Sequence, residues 1–166
     1  MEHLKKRRFG PLWLWLVLTA GAVAATCFFS SQSGSVSDDL SLGLVKKLLS
    51  LFLPDASAVE MEFFNHILRK LAHFFLYWVL GCGLYGLLLR QDRLPQIPAA
   101  LVLGAAYASL DEYHQSFVQG RTPGVRDVLI DSCGVLAGCA VIAALAQLSR
   151  ELPADPGTGN ASERAR

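Results

Sequence analysis

The stretch PLWLWLVLTAGAVAATCFF, residues 11–29, decides the fold because it contains no charged side chain. At 1.5 Å per residue, a helix of this length spans about 28 Å, which is close to the hydrocarbon thickness of a bilayer. The basic segment MEHLKKRRFG before it also resembles the start of a signal peptide. However, the apolar stretch is longer than the roughly 7–15 residues of a signal-peptide core. We therefore expect a retained membrane helix.

Three further apolar runs follow, at residues 71–89, 97–110 and 128–148. The whole chain is 52% apolar and only 17% charged, whereas a soluble domain carries about 25% charged residues. Long apolar blocks separated by short polar stretches exclude a disordered chain, a nucleic-acid-binding tail and an ordinary cytosolic enzyme. The sequence predicts an all-α membrane protein in which residues 1–150 form one domain with four transmembrane helices. No nucleic-acid partner is expected.

Residues 30–70, between the first two spans, form a polar and amphipathic insert. It is expected to open with a loop, SSQSG, and then to form a helix that is capped by Ser37 or Asp38 and ends at Leu53. One face of this helix is apolar and carries Leu40, Leu44, Leu48 and Leu51. Because the helix is too short to span a bilayer, we expect it to lie in the membrane interface. A second helical pattern begins at Val59 and continues into the next apolar run.

The distribution of basic residues predicts the topology. With four spans, nine of the 15 Lys and Arg residues lie on the side of the N-terminus, residues 90–96 and the C-terminus, and six lie on the other side. The positive-inside rule therefore places both termini in the cytoplasm and directs residues 30–70 and 111–127 outward. The polar, Pro- and Gly-rich residues 151–166 are expected to form a disordered cytoplasmic tail.

Ionisable and polar residues gather at the outward ends of the predicted spans. They are Arg69, Lys70 and His73 at the second span, Asp111, Glu112, His114 and Gln115 at the third, and Arg121, Arg126, Asp127 and Asp131 at the fourth. A charge inside the membrane costs about 2.5–3.5 kcal/mol on insertion scales unless it pairs or faces water. The sequence therefore predicts a shared polar pocket. The four acids balance the four bases, so a structural salt-bridge network remains an alternative to a binding or catalytic site.

Two kinds of chemistry suit this pocket. Basic side chains can hold a phosphate or carboxylate, and the candidate ligand-binding residues are Arg69, Lys70, Gln115, Arg121, Asp127 and Asp131. An imidazole oriented by a carboxylate can transfer a proton near neutral pH, and the candidate catalytic residues are His73, Asp111, Glu112 and His114. A divalent metal ion is a third possibility, but the four nearby cations disfavour it; its ligands would be Asp111, Glu112, His114 and Asp131. No metal ligand and no cofactor are therefore predicted.

Three segments together resemble the VanZ-like family of bacterial membrane proteins: FFSSQSG at 28–34, RKLAHFFLY at 69–77, and DEYHQSFVQGRTPGVRDVLIDSCGVLAG at 111–138. The resemblance covers roughly residues 15–145. The family's signature is Lys-x-x-His-Phe, then Asp-Glu-x-x-Gln, then Gly-Arg, then Asp-x-x-x-(Asp/Asn). The positions that match it here are Lys70, His73, Asp111, Glu112, Gln115, Arg121, Asp127 and Asp131.

The resemblance implies a multi-pass protein of the bacterial inner membrane with a role in the cell envelope. The founding member of the family is associated with resistance to the lipoglycopeptide teicoplanin. The expected ligand is an anionic envelope amphiphile, either a lipid-linked wall precursor or a lipoglycopeptide. Two alternatives remain open: a hydrolase or transferase that acts on a lipid phosphate ester, and a non-catalytic partner of a transporter or wall-synthesis complex. Whether the chain is an enzyme is not decided by its sequence.

Overall fold

A computed structural model describes residues 10–53, 55–91 and 95–151. These residues form five helices and no strand: α1 (Leu12–Ser30), α2 (Gly34–Phe52), α3 (Ala58–Leu88), α4 (Gln96–Gln115) and α5 (Val125–Glu151). The predicted all-α class is confirmed for this part of the chain. Apart from Glu151, the predicted disordered tail lies outside the described residues.

Three of the described helices are long and apolar enough to cross a membrane. They are α1, α3 and the segment Val125–Ser149 of α5, with mean hydropathies of 2.0, 1.6 and 2.2 over their most apolar windows. The predicted runs at 11–29, 71–89 and 128–148 therefore lie in helices of membrane-spanning length. The run at 97–110 lies within α4, which is not among these three helices and ends in the polar sequence DEYHQ. A fourth span remains a prediction.

The insert differs from its predicted boundaries at two points. Ser30 is the last residue of α1 and not the start of a loop. The helix α2 is capped by Ser33, whose hydroxyl accepts a hydrogen bond from the N–H of Val36 at 3.5 Å. The predicted cap at Ser37 or Asp38 is therefore wrong, because Ser33 supplies a side-chain acceptor one turn earlier.

The helix α3 joins the insert to the second apolar run without a break, as the pattern from Val59 predicts. It begins with a capping box, in which Ser57 accepts from the N–H of Glu60 and the Glu60 carboxylate accepts from the N–H of Ser57. It then continues for 31 residues. Its first turns therefore extend beyond the other helices and provide the surface on which α2 packs.

The apolar side chains of α2 differ in burial. Val45 and Leu49 are buried, and they lie with Phe64 and Leu68 of α3 around a small apolar cleft. The predicted leucine stripe is between 46% and 75% exposed at Leu40, Leu44, Leu48 and Leu51, although Leu48 also lines this cleft. The exposed part of the stripe can contact lipid while α2 remains attached to α3. Its placement in the outer membrane interface remains a prediction.

Small residues allow α3 and α5 to pack closely along their length. A Cβ atom added at Gly134 or Gly138 would overlap the carbonyl oxygen of Phe74 or Trp78, respectively, and one added at Gly81 would overlap that of Val135. Such close backbone approach is typical of helices that associate inside membranes, where packing replaces the hydrophobic effect. The contacts pair increasing residue numbers on both helices, so α3 and α5 run parallel.

The helices α1 and α4 run antiparallel to α3 and α5. Trp15 of α1 lies against Gly86 of α3, and Thr19 lies against Gly83. At this end of the bundle, the Arg90 guanidinium donates to the carbonyl of Gly10 at 2.9 Å. Because α4 runs parallel to α1, the C-terminal ends of α1 and α4 meet the N-terminal end of α5 and the middle of α3 at the opposite end.

Candidate functional site

A polar cavity of about 210 Å³ lies where these helix ends meet. Eight of the ten predicted site residues line it: Arg69, Lys70, His73, Glu112, Gln115, Arg121, Asp127 and Asp131. His66 and Thr122 also line it, and the sequence analysis singled out neither. The structure therefore brings residues from α3, α4, α5 and the loop before α5 to one place.

Because α3 and α5 pack in parallel, two pairs of side chains face each other in this cavity. Lys70 forms an ion pair with Asp127. About one turn further along both helices, Nδ1 of His73 lies 4.0 Å from Oδ2 of Asp131. Lys70 and Asp127 are in direct contact, whereas His73 and Asp131 are too far apart for a hydrogen bond.

Asp111 lies beside the cavity and is only 5% exposed. Its Oδ2 accepts hydrogen bonds from the Ser30 hydroxyl at 2.9 Å and from Nε2 of Gln115 at 3.0 Å. The sequence analysis missed Ser30, which it placed in a loop, although Ser30 belongs to the segment FFSSQSG that carries the family resemblance. The last residue of α1 therefore orients a carboxylate of α4.

His114 does not join the cavity. Its side chain is exposed, and its Nε2 lies 3.3 Å from the hydroxyl of Ser31. The physical reason is the helical repeat, since Asp111 and Gln115 share one face of α4 whereas His114 lies about 100° away from Gln115 around the helix axis. Arg126, at the start of α5, is also exposed and does not line the cavity.

Arg121 lies in the loop between α4 and α5 and attaches this loop to the end of α1. Its Nη2 donates to the carbonyl of Phe29 at 2.9 Å, and its Nε donates to that of Gln32 at 3.2 Å. Burial lowers the pKa of the Arg121 guanidinium, and the charge of Arg69 lowers it further; even so, an arginine stays protonated in proteins. It therefore places a positive charge at the negative end of the α1 dipole.

Three carboxylates at or beside the cavity have no Lys or Arg partner within the described part of the chain. Arg69 pairs with Asp38 of α2, and Lys70 pairs with Asp127. Glu112 accepts a hydrogen bond from the N–H of Gly124 at 2.7 Å. The carboxylates without a Lys or Arg partner are those of Asp111, Glu112 and Asp131. The described residues therefore form two separate ion pairs at this end and not one balanced network.

An apolar groove of about 460 Å³ adjoins the polar cavity. It lies between α2 and α3, and its apolar lining includes Leu40, Leu44, Phe75, Leu76 and Val79. The groove and the cavity share Arg69, His73 and Arg121. A charged region is therefore continuous with a hydrocarbon-lined region.

Together, the apolar helices and the polar cavity define a membrane-type helical protein with an ionisable site at one end of its bundle. A family model described as VanZ/LLP1 matches residues 15–147, and the chain belongs to this family. The resemblance seen in the three sequence segments is thereby confirmed. No curated protein and no solved structure matches the chain.

Proposed function

We propose that this chain is a multi-pass inner-membrane protein whose polar cavity binds the anionic headgroup of a cell-envelope amphiphile. The observation that carries the proposal is the junction of the polar cavity with the apolar groove through Arg69, His73 and Arg121. An amphiphile needs this combination, because its charged group must leave water for a polar site while its chain stays in an apolar one.

The basic side chains at the junction suit a phosphate or carboxylate. Arg121 uses two N–H groups on main-chain carbonyls, whereas a guanidinium carries five. The remaining groups can form a bidentate contact with an anion, and Lys70 on the facing helix can add a point charge. Asp127 and Asp38 hold Lys70 and Arg69 in place until a ligand competes for them.

The apolar lining of the groove and the family membership support the proposed ligand class. Leu44, Phe75 and Val79 offer carbon surface to a hydrocarbon chain. A lipid-linked wall precursor and a lipoglycopeptide both combine an anionic group with such a chain. Our proposal includes a link to glycopeptide resistance, an outward-facing cavity and cytoplasmic termini.

Binding to purified full-length protein in nanodiscs of zwitterionic lipid tests the proposal. The probes are a polyprenyl diphosphate, teicoplanin, and the uncharged polyprenol with the same chain. We expect the diphosphate or teicoplanin to bind and the polyprenol to bind at least tenfold more weakly. Arg121→Lys should weaken binding of the charged probe about tenfold, since loss of one bidentate contact costs at least ~1.4 kcal/mol. Arg126→Lys, outside the cavity, is the matched control.

Equal binding of polyprenol and polyprenyl diphosphate would show that the cavity does not recognise an anion. Absence of binding by both charged probes would contradict the proposed ligand class. Because both substitutions keep the positive charge, equal losses in Arg121→Lys and Arg126→Lys would show that the guanidinium in the cavity has no specific role in binding.

A second candidate is a membrane enzyme that hydrolyses or transfers a lipid phosphate ester. His73 and Asp131 favour it, because an imidazole and a carboxylate face each other at the cavity wall. Release of phosphate from polyprenyl diphosphate by the purified protein, and its loss in His73→Gln, would distinguish this enzyme from a binding protein. Stable recovery of a second membrane protein after mild extraction, without either activity, would favour the non-catalytic partner.

A further inference from the structure

Three donor groups from three helices meet beside the polar cavity. They are the His73 imidazole of α3, the Asp111 carboxylate of α4 and the Asp131 carboxylate of α5. One donor atom from each lies within 4.8 Å of the other two. We propose that this trio binds a divalent metal ion of the zinc or manganese type. The site does not depend on the amphiphile proposed above.

The environment of Asp131 gives the strongest support for a bound cation. Its side chain is only 1% exposed, and neither carboxylate oxygen has a hydrogen-bond partner within the described chain. A buried carboxylate in this state is unfavourable, because it loses the water that would solvate its charge and gains nothing in return. Since Asp131 lines the cavity and faces His73, its free oxygens are directed to the place where an ion would lie.

The Lys and Arg residues that line the cavity do not fill this role. Lys70 is paired with Asp127, and Arg69 is paired with Asp38 on the far side of the groove. Arg121 donates to main-chain carbonyls at the end of α1. Arg69, Lys70 and Arg121 are therefore directed to other partners, and the buried carboxylates of Asp111 and Asp131 have no Lys or Arg partner in the described part of the chain.

Asp111 is already held in the manner of a metal ligand. Its Oδ2 accepts from the buried Ser30 hydroxyl at 2.9 Å and from buried Gln115 at 3.0 Å. Hydrogen bonds of this kind fix the orientation of a ligating carboxylate and contribute to metal affinity. Ser30 and Gln115 are thus positioning residues for the proposed site.

The donor set selects the kind of ion. One imidazole and two carboxylates suit Zn²⁺ or Mn²⁺, whereas Ca²⁺ takes six to eight oxygen ligands and Mg²⁺ keeps several waters. Two donors that share one tetrahedral zinc ion lie about 3.3–3.6 Å apart, so side-chain rotations must bring the trio together. Three protein ligands leave a coordination position open. Because His73 and Asp131 line the polar cavity, this position faces it.

Metal binding to the purified full-length protein tests the site. The protein is stripped with a chelator and titrated separately with Zn²⁺, Mn²⁺, Mg²⁺ and Ca²⁺, and bound metal is counted after removal of excess ion. We expect one equivalent of Zn²⁺ or Mn²⁺ and no comparable binding of Mg²⁺ or Ca²⁺. Asp131→Asn should abolish this equivalent, and Ser30→Ala should weaken it about 10–100-fold. Asp39→Asn, which removes an exposed carboxylate of α2, is the matched control.

If the Asp131→Asn protein does not accumulate in the membrane, the absorption spectrum of the Co²⁺-loaded protein provides a second test. The wild-type protein should give the visible absorption of an ion with nitrogen and oxygen ligands, and His73→Gln should change it. No stoichiometric Zn²⁺ or Mn²⁺ in the wild-type protein would overturn the proposal, as would equal metal loss in Asp131→Asn and Asp39→Asn. Binding of polyprenyl diphosphate by metal-free protein would leave the proposed function intact in that case.

Discussion

Nδ1 of His73 lies 4.0 Å from Oδ2 of Asp131, across the parallel contact between α3 and α5. The same register brings Lys70 to Asp127 about one turn earlier. Gly134 and Gly138 set this register, because their missing side chains admit the backbone of α3 at Phe74 and Trp78. The chemistry of the polar cavity therefore depends on close helix packing within about two turns of it.

We expect Gly138→Ala to separate α3 from α5. The added Cβ would overlap the carbonyl of Trp78, and overpacking of this kind costs about 1–3 kcal/mol of stability. The unfolding midpoint of the purified protein in detergent measures the effect. Gly21→Ala in α1 is the control, since a Cβ there has nothing within 4 Å. Equal midpoints for the two variants would show that the packing is not tight.

The adjacent residues Ser30 and Ser31 at the end of α1 should differ sharply in their contribution to stability. Ser30→Ala removes a buried hydrogen bond to the Asp111 carboxylate, and bonds to charged groups contribute about 1.5–3 kcal/mol. Ser31→Ala removes exposed contacts to the carbonyl of Cys27 and to Nε2 of His114 and should change stability by less than about 0.5 kcal/mol. Chemical unfolding of both variants gives the comparison. A larger loss in Ser31→Ala would contradict the assigned role of Ser30.

The pair Lys70–Asp127 should show coupling in a double-mutant cycle. Both side chains are partly buried, with exposures of 30% and 21%. We expect Lys70→Met and Asp127→Asn together to cost less than the sum of the single changes, with a coupling energy of about 0.5–3 kcal/mol. Unfolding free energies of the four proteins give this value. Strict additivity would show that the pair does not contribute to the stability of the cavity.

The side of the membrane that carries each terminus distinguishes three spans from four. With α4 as a fourth span, a reporter fused after Ser149 should be active only in the cytoplasm, and one inserted at Asp55 only outside. If only three helices crossed, the N-terminus and the C-terminal end of α5 would lie on opposite sides, and this would contradict the parallel packing of α3 and α5. Reporters at both positions and at the N-terminus therefore measure the topology directly. A reversed pattern would remove the outward assignment of the polar cavity.

The leucine stripe of α2 should contact lipid. A nitroxide label at Leu44, in a protein whose four cysteines have been replaced, should be accessible to oxygen dissolved in the bilayer and protected from a water-soluble relaxing agent. A label at the exposed residue Asp55, in the turn after α2, is the control and should show the opposite pattern. Equal access of the water-soluble agent to both labels would exclude placement of α2 in the membrane interface.

Hydropathy and local spacing in the sequence were enough to predict the helices and to select most of the cavity residues. Charge-free runs determine where membrane-length helices form, because backbone groups in lipid must bond within their own segment. Spacings of three and four residues place Lys70 with His73, and Asp127 with Asp131, on single helix faces. Eight of the ten predicted site residues consequently line the polar cavity.

Tertiary structure alone decided how the helix faces meet. The register of α3 on α5 leaves Asp131 without a hydrogen-bond partner among the described residues, and the end of α1 brings Ser30 to Asp111 across 81 residues of sequence. The rotation of α4 directs Asp111 and Gln115 inward and leaves His114 exposed. The physical reason is that sequence spacing determines the direction in which a side chain leaves its own helix. The rotation and register of that helix depend instead on close packing against its neighbours. An example is the packing of Gly134 and Gly138 against the backbone of α3.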